Sequence, residues 1–216
     1  MLTHGDRTVA NASVIFETCK SSRAELFGFK NKGIPLGEMK SLFSYMKQCG
    51  KQTVLEVVEY TEKECIEGVE IGVECGCDII MGTVFSDSVN DVCQENNIMY
   101  MPFVGQVSGL PSVLHGSVES MIQEAEAYLE KGAHGIDLLG YRYAGNPEPL
   151  IQEFVSRVNA PVCVAGSISS YQRVDEVINA GAWAFTIGGA FFEKRFGETH
   201  CEQIDNVCEY VAKRES

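Results

Sequence analysis

Two carboxylates stand where a charge is costly. Glu56 lies in an apolar segment with Val54, Val57 and Val58, and Asp137 interrupts another at residues 135–141. A carboxylate in such surroundings must be paired, bound to a cation or held protonated, so each is a candidate acid or base. Alternation along a strand sends Glu56 and Glu59 to opposite faces, and Glu56 is the one expected to face a pocket. Its structural alternative is membership of an ion pair. Lys30 and Lys32 follow a further apolar segment. A lysine there can anchor an anion, act as an electrophile or form an imine. His4, beside Asp6 and Arg7, can serve as acid, base or ligand, or simply as a solvated residue. The candidate proton-transfer set is therefore Glu56, Asp137, Lys30 and His4. Arg142 offers a fork for a carboxylate or phosphate, and Tyr141 and His115 are candidate substrate contacts. His134 and His200 are given no role. A divalent metal on His4, Glu56 and Asp137 is chemically feasible, but no spacing calls for it, so no cofactor is required.

Two glycine-bearing turns near the carboxyl end carry a different signal, Gly166-Ser167 and Gly188-Gly189. Without a Cβ, a backbone amide can approach an anion closely. These four residues form a candidate phosphate site, provided the two turns converge. The structural alternative is that the glycines serve only tight turns and packing.

The elements that must position these groups alternate regularly. Short segments rich in Val, Ile, Phe and Tyr occupy residues 25–29, 53–60, 78–83, 99–105, 135–141, 161–167 and 184–189. They are nearly continuous apolar runs, as parallel strands covered on both faces require. Amphipathic stretches separate them, several with Ser or Thr before and Gly after, such as Thr61 with Glu64 and Ser117 with Gly132. The rhythm predicts a single (β/α)8 barrel over residues 1–216, its first strand a stub at residues 2–4. An open doubly wound sheet is the alternative. The loop at 106–116 is long enough to cover a site. Phe191, Phe192 and Phe196 form either a homodimer seam or a layer under the last helix.

The run Val164-Ala165-Gly166-Ser167-Ile168, with Ala180 through Ala190, resembles strands seven and eight of the ribulose-phosphate-binding barrel superfamily. Within it, Gly181-Ala182-Trp183-Ala184 resembles N-acetylmannosamine-6-phosphate 2-epimerases. The overall layout, including Leu55-Glu56-Val57-Val58-Glu59, resembles the glycerol-uptake antiterminator barrel family. The resemblance implies that Gly166, Ser167, Gly188 and Gly189 hold a substrate phosphate. It favours a phosphosugar isomerase or epimerase, with an aldolase or lyase and a ligand-sensing regulatory barrel as alternatives. In familiar class I aldolases the imine lysine stands on strand six, where this chain ends in Arg142, and that departure weighs against an imine at Lys30.

Composition narrows the partners. With 30 acidic against 17 basic residues the net charge is -13, which disfavours nucleic acid, whose binders carry a basic footprint. No apolar run reaches the roughly 18 residues a membrane span needs, and no charged-then-apolar leader opens the sequence, so a cytoplasmic protein is expected. The nine cysteines are scattered without a CxxC pair, which fits reduced thiols better than disulfides or zinc. The expected partner is a small phosphorylated metabolite.

Overall fold

The computed structural model describes residues 1–214. It begins with a small antiparallel hairpin, β1 (Thr3–His4) and β2 (Arg7–Thr8), followed by helix α1 (Ala12–Cys19). Four parallel strands then form one ladder in sequence order: β3 (Leu26–Lys30), β4 (Gln52–Val57), β5 (Ile79–Gly82) and β6 (Met99–Met101). Helices α2 (Leu36–Gln48), α3 (Glu62–Cys75) and α4 (Asp87–Glu95) connect them. A second hairpin, β7 (Gln106–Ser108) and β8 (Val113–His115), precedes α5 (Val118–Glu130). Three more parallel strands complete the series: β9 (Ile136–Leu138), β10 (Val162–Val164) and β11 (Ala184–Phe185). A 3-10 turn (Gly140–Arg142) and helices α6 (Pro147–Arg157), α7 (Tyr171–Ala180), α8 (Gly189–Phe192) and α9 (His200–Arg214) accompany them.

Hydrogen bonds cross both seams between the two parallel sheets. At one, Asp137 N donates to Pro102 O at 3.0 Å, and Phe103 forms a parallel bridge with Asp137. At the other, Leu2 N donates to Gly28 O at 2.7 Å and Met1 N to Ile187 O at 2.9 Å. The N-terminal segment is thus the eighth stave, as short as its sequence indicates, and the strands form a ring rather than an open sheet.

Alternation along these staves explains their continuous apolar character. Leu55 and Val57 of β4, Ile80 of β5, Tyr100 of β6 and Leu138 of β9 point outward into the larger core, where Phe43, Val69, Ile122 and Phe154 of the helices meet them. Val54, Ile79, Met81, Met101 and Cys163 point inward and fill the ring as a separate small cluster. Neither face of a strand is wet, so neither can be polar without a reason. The helices start where their caps dictate. Thr61, Ser86, Ser117 and Ser170 each accept an N–H three residues on. Gly76 and Gly181 end α3 and α7 in the left-handed conformation.

Some expectations change. The strand expected at 184–189 ends as a ladder at Phe185, and Gly189 instead opens α8. The loop expected at 106–116 contains the β7–β8 hairpin. Of the two alternatives for the phenylalanines, packing under the last helix describes Phe191 and Phe196, which are buried against α9, while Phe192 lies half-buried between two histidine rings. All nine cysteines are free thiols. No helix among the described residues is long and apolar enough to cross a membrane.

Candidate active site

The inward-facing residues at the carboxyl ends of β3 and β4 are Lys30 and Glu56, register partners in the parallel ladder. Lys30 is buried, and its Nζ lies 2.9 Å from Asp6 Oδ1 and 3.5 Å from Glu56 Oε1. Arg142 reaches the same Asp6 oxygen through Nη2 at 3.3 Å. Asp6 comes from the β1–β2 turn, where both it and Gly5 adopt positive φ of 58°. For a residue with a Cβ that conformation is uncommon and is sustained here by the two cations its carboxylate bridges.

This cluster opens into a cavity of about 580 Å³ at the carboxyl ends of the strands. Gly166, Ser167, Gly188 and Gly189 also line it, so the two glycine turns converge on one space together with Lys30, Glu56, Arg142 and His4. The amides of those four turn residues donate to no other main-chain group among the described residues. Gly166 and Ser167 have φ of +84° and +61°. A Cβ on Gly166 would meet Arg142 Cγ at 2.6 Å, and one on Gly188 would meet Thr3 Oγ1 at 2.6 Å. A Cβ on Gly189 would have only His4 Cδ2 near it, at 3.8 Å. The first two glycines are thus demanded by packing as well, whereas Gly189 faces open space.

Electrostatics divide the titratable groups sharply. Burial acts to lower the Lys30 pKa, but the negative charges of Glu56 and Asp6 outweigh it, and the net shift is upward. Lys30 is therefore an ammonium, paired and non-nucleophilic, at neutral pH. Burial also opposes ionisation of Asp6, and contact with Lys30 and Arg142 more than reverses it, so that carboxyl titrates below its ordinary range. Asp137 behaves oppositely. It is 1% exposed, does not line the cavity, and neither carboxyl oxygen has a partner at hydrogen-bonding geometry. Burial, reinforced by Glu56, raises its pKa well above the carboxylate range, outweighing the opposing influence of Lys30 and the Gly82 amide. It is a neutral acid beneath the cavity floor, next to Cys163 in the strand register. Burial, with Asp137 and Glu56 adding to it, likewise keeps Cys163 a thiol.

Several candidates lie elsewhere. Tyr141 faces away from the cavity, its hydroxyl donating to Glu176 Oε2 at 2.7 Å and lying 3.0 Å from Arg173 O. The backbone leaves the strand at Leu139 and enters the 3-10 turn, so Tyr141 and Arg142 diverge. His115 is exposed on the β8 edge and does not line the cavity. Glu59 sits outside the ring with Lys32 Nζ at 2.5 Å. His4, Glu56 and Asp137 do not gather as metal ligands, and among the described residues no such group of three or more His, Cys, Asp and Glu side chains exists. Leu110, Pro111 and Ser112 of the β7–β8 hairpin line the cavity, as the expected cover at 106–116 would, and Thr186 and Glu193 line it without having been anticipated. Tyr60 ties that hairpin down through Gly109 O at 2.9 Å and Ser112 Oγ at 2.7 Å.

Fold comparison places this geometry in a known setting. Thiamine phosphate pyrophosphorylase from Pyrococcus furiosus superposes with a TM-score of 0.64 at 16% identity, covering 90% of this chain and 86% of that one. A native KDPGal structure superposes with a TM-score of 0.69 at 12% identity, covering 94% and 89%. This chain has a TIM-barrel-type α/β fold. The barrel is also similar to the glycerol uptake operon antiterminator regulatory protein from Listeria monocytogenes, with a TM-score of 0.57 at 17% identity over 82% of this chain and 88% of that one. At the sequence level it is 29% identical over 90 residues to imidazole glycerol phosphate synthase subunit HisF from Francisella philomiragia subsp. philomiragia. That match takes in 39% of this chain and only 34% of the relative, about a third of its length. No protein-family profile matches the chain. Barrels of this type place their chemistry at the carboxyl ends of the strands, where the cavity lies. Because the neighbours include both enzymes and a regulator, function has to be argued from the site.

Proposed function

We propose that the barrel is an enzyme for a small phosphorylated metabolite, and that it moves a proton at a carbon beside a carbonyl, as a phosphosugar isomerase or epimerase does. One observation carries the reading: the Gly166-Ser167 and Gly188-Gly189 turns line the same cavity as Glu56 and Lys30. The unpaired amides of the turns hold the phosphate, which fixes the reacting carbon over the opposite wall. Glu56, half-buried and lining the cavity, takes the proton. The Lys30 ammonium balances the charge that develops on the carbonyl oxygen. Asp137, sealed beneath, touches no substrate and keeps the floor uncharged. The paired, protonated state of Lys30 favours this electrostatic role over imine chemistry. The names of the Pyrococcus and Francisella proteins both contain a phosphate ester, which agrees with the reading.

The test is a panel of phosphorylated aldoses, ketoses and amino sugars incubated with the protein in D2O and followed by proton NMR. A substrate incorporates deuterium at the carbon next to its carbonyl. Glu56→Gln should slow that exchange by about 10²–10⁴-fold, the usual worth of a positioned acid–base group. Deuterium exchange as fast in Glu56→Gln as in the parent would refute the assignment. A compound that binds saturably but never exchanges would favour a ligand-sensing role, and borohydride trapping on Lys30 would favour a lyase.

A further inference from the structure

Three side chains lining the cavity can carry positive charge: His4, Lys30 and Arg142. Two of them are already engaged. Lys30 is 8% exposed at its side chain and held between Asp6 and Glu56. Arg142 gives Nη2 to Asp6, and its Nε and Nη1 are buried from solvent. These two cations and the two carboxylates they face cancel. A phosphate entering the cavity therefore finds bare amides but no free positive side chain, with one exception.

That exception is His4. It is exposed at the cavity edge and stands over the Gly188-Gly189 turn, with Cδ2 3.8 Å from where a Cβ on Gly189 would lie. Its ring packs on Phe192 of α8 with centroids 5.3 Å apart, which fixes the imidazole to the same element that carries Gly189. The sequence offers His4 as acid, base or ligand, and the structure sets it beside the Gly188-Gly189 turn.

We propose that His4 is an anion ligand whose protonation state sets how tightly the cavity holds a phosphate group. This inference rests on the phosphate reading of the two turns. Imidazoles change charge between pH 5 and 8, and the cationic form adds a charge-assisted hydrogen bond to the amides already present. Affinity therefore rises as pH falls. The charged and titratable groups around His4 include the Met1 amino terminus, which also lines the cavity, donates to Ile187 O at 2.9 Å and has its pKa lowered by burial to about 6. Arg7 is its partner across the β1–β2 hairpin and is exposed. Asp6 is committed to Lys30 and Arg142. Glu193 lies on the cavity side of α8 and is paired with Arg195 Nε at 3.0 Å. His200 of α9 packs on Phe192, with centroids 4.6 Å apart.

Sulfate is the appropriate probe, because it remains a dianion across this range and any pH dependence must come from the protein. Calorimetric titration of the whole chain at constant ionic strength should show sulfate binding on the order of tenfold tighter at pH 5.5 than at pH 8. His4→Gln and His4→Phe should bind at both pH values with the weak affinity of the parent at pH 8, and His4→Phe retains the ring on Phe192. A pH slope that persists in both variants overturns the role of His4 while leaving the phosphate cavity intact. Absence of saturable binding of sulfate and of inorganic phosphate in the parent overturns the phosphate reading and this inference with it.

Discussion

Replacing Asp137 by asparagine isolates the strain of a carboxyl sealed under the cavity. The side chain is 1% exposed, both oxygens lack partners, and its pKa is raised by burial first and by Glu56 second. In the unfolded chain the same group loses its proton in the ordinary carboxylate range, near pH 4. Between that pH and the raised folded value, the folded state binds one proton more than the unfolded state. Stability must then fall as pH rises through this window, by up to about 1.4 kcal/mol per pH unit for a single proton. Asparagine has nearly the same shape and no proton to lose, so the variant lacks this slope. Its amide leaves donors unpaired, which costs about 1–3 kcal/mol, but the protonated acid leaves its own hydroxyl unpaired in the same place. The variant should thus be similar to the parent or slightly weaker near pH 4 and gain on it steadily as pH increases. Urea unfolding at pH 4.5, 5.5, 6.5 and 7.5, followed by fluorescence of the single tryptophan, Trp183, measures the difference. Titrating groups that do not face Asp137 cancel in that comparison. A parent-minus-variant difference that is flat across the series, or that runs the other way, would show that Asp137 is ionised in the folded protein and that the argument from burial is wrong.

The glycine pair at the anion corner should separate packing from binding. Gly188→Ala drives a methyl into Thr3 and should cost about 1–3 kcal/mol by overpacking, read as a lowered thermal midpoint. Gly189→Ala meets only His4 Cδ2 at an ordinary 3.8 Å, so its midpoint should hold while sulfate affinity falls; equal destabilisation by both would contradict the geometry. Thr61→Ala removes the hydroxyl that accepts Glu64 N at 3.3 Å and donates to Glu64 Oε2 at 2.6 Å. It should cost about 1 kcal/mol in urea unfolding with anion binding unchanged.

Most of the architecture was legible because it is written in local periodicity. Caps at Thr61 and Ser117 and stops at Gly76 and Gly181 need only neighbouring residues, and strands buried on both faces declare themselves as unbroken apolar runs. The elements that escaped are short. Three-residue strands such as β7 and β8 fall below any periodic signal, and α8 is a single turn begun by a glycine pair that also reads as a strand end. Within the site, the glycine turns could be read because each is contiguous. The Asp6 bridge could not, since its partners Lys30 and Arg142 stand 24 and 136 residues away. Tyr141 was misplaced by running the strand to residue 141, past Leu139, where the backbone enters the 3-10 turn.

The bond from Met1 N to Ile187 O spans 186 residues of sequence. A contact between residues this far apart along the chain is expected to form later than local ones. The β3–β6 ladder, in which every neighbour is also next in order along the chain, needs no such delay. Until the circle is complete, whatever has already assembled carries an uncovered strand margin, with the methionine-rich lining exposed to water. Ring closure thus depends on a joint between the N-terminal segment and the residues that follow β11 rather than on the β3–β6 ladder.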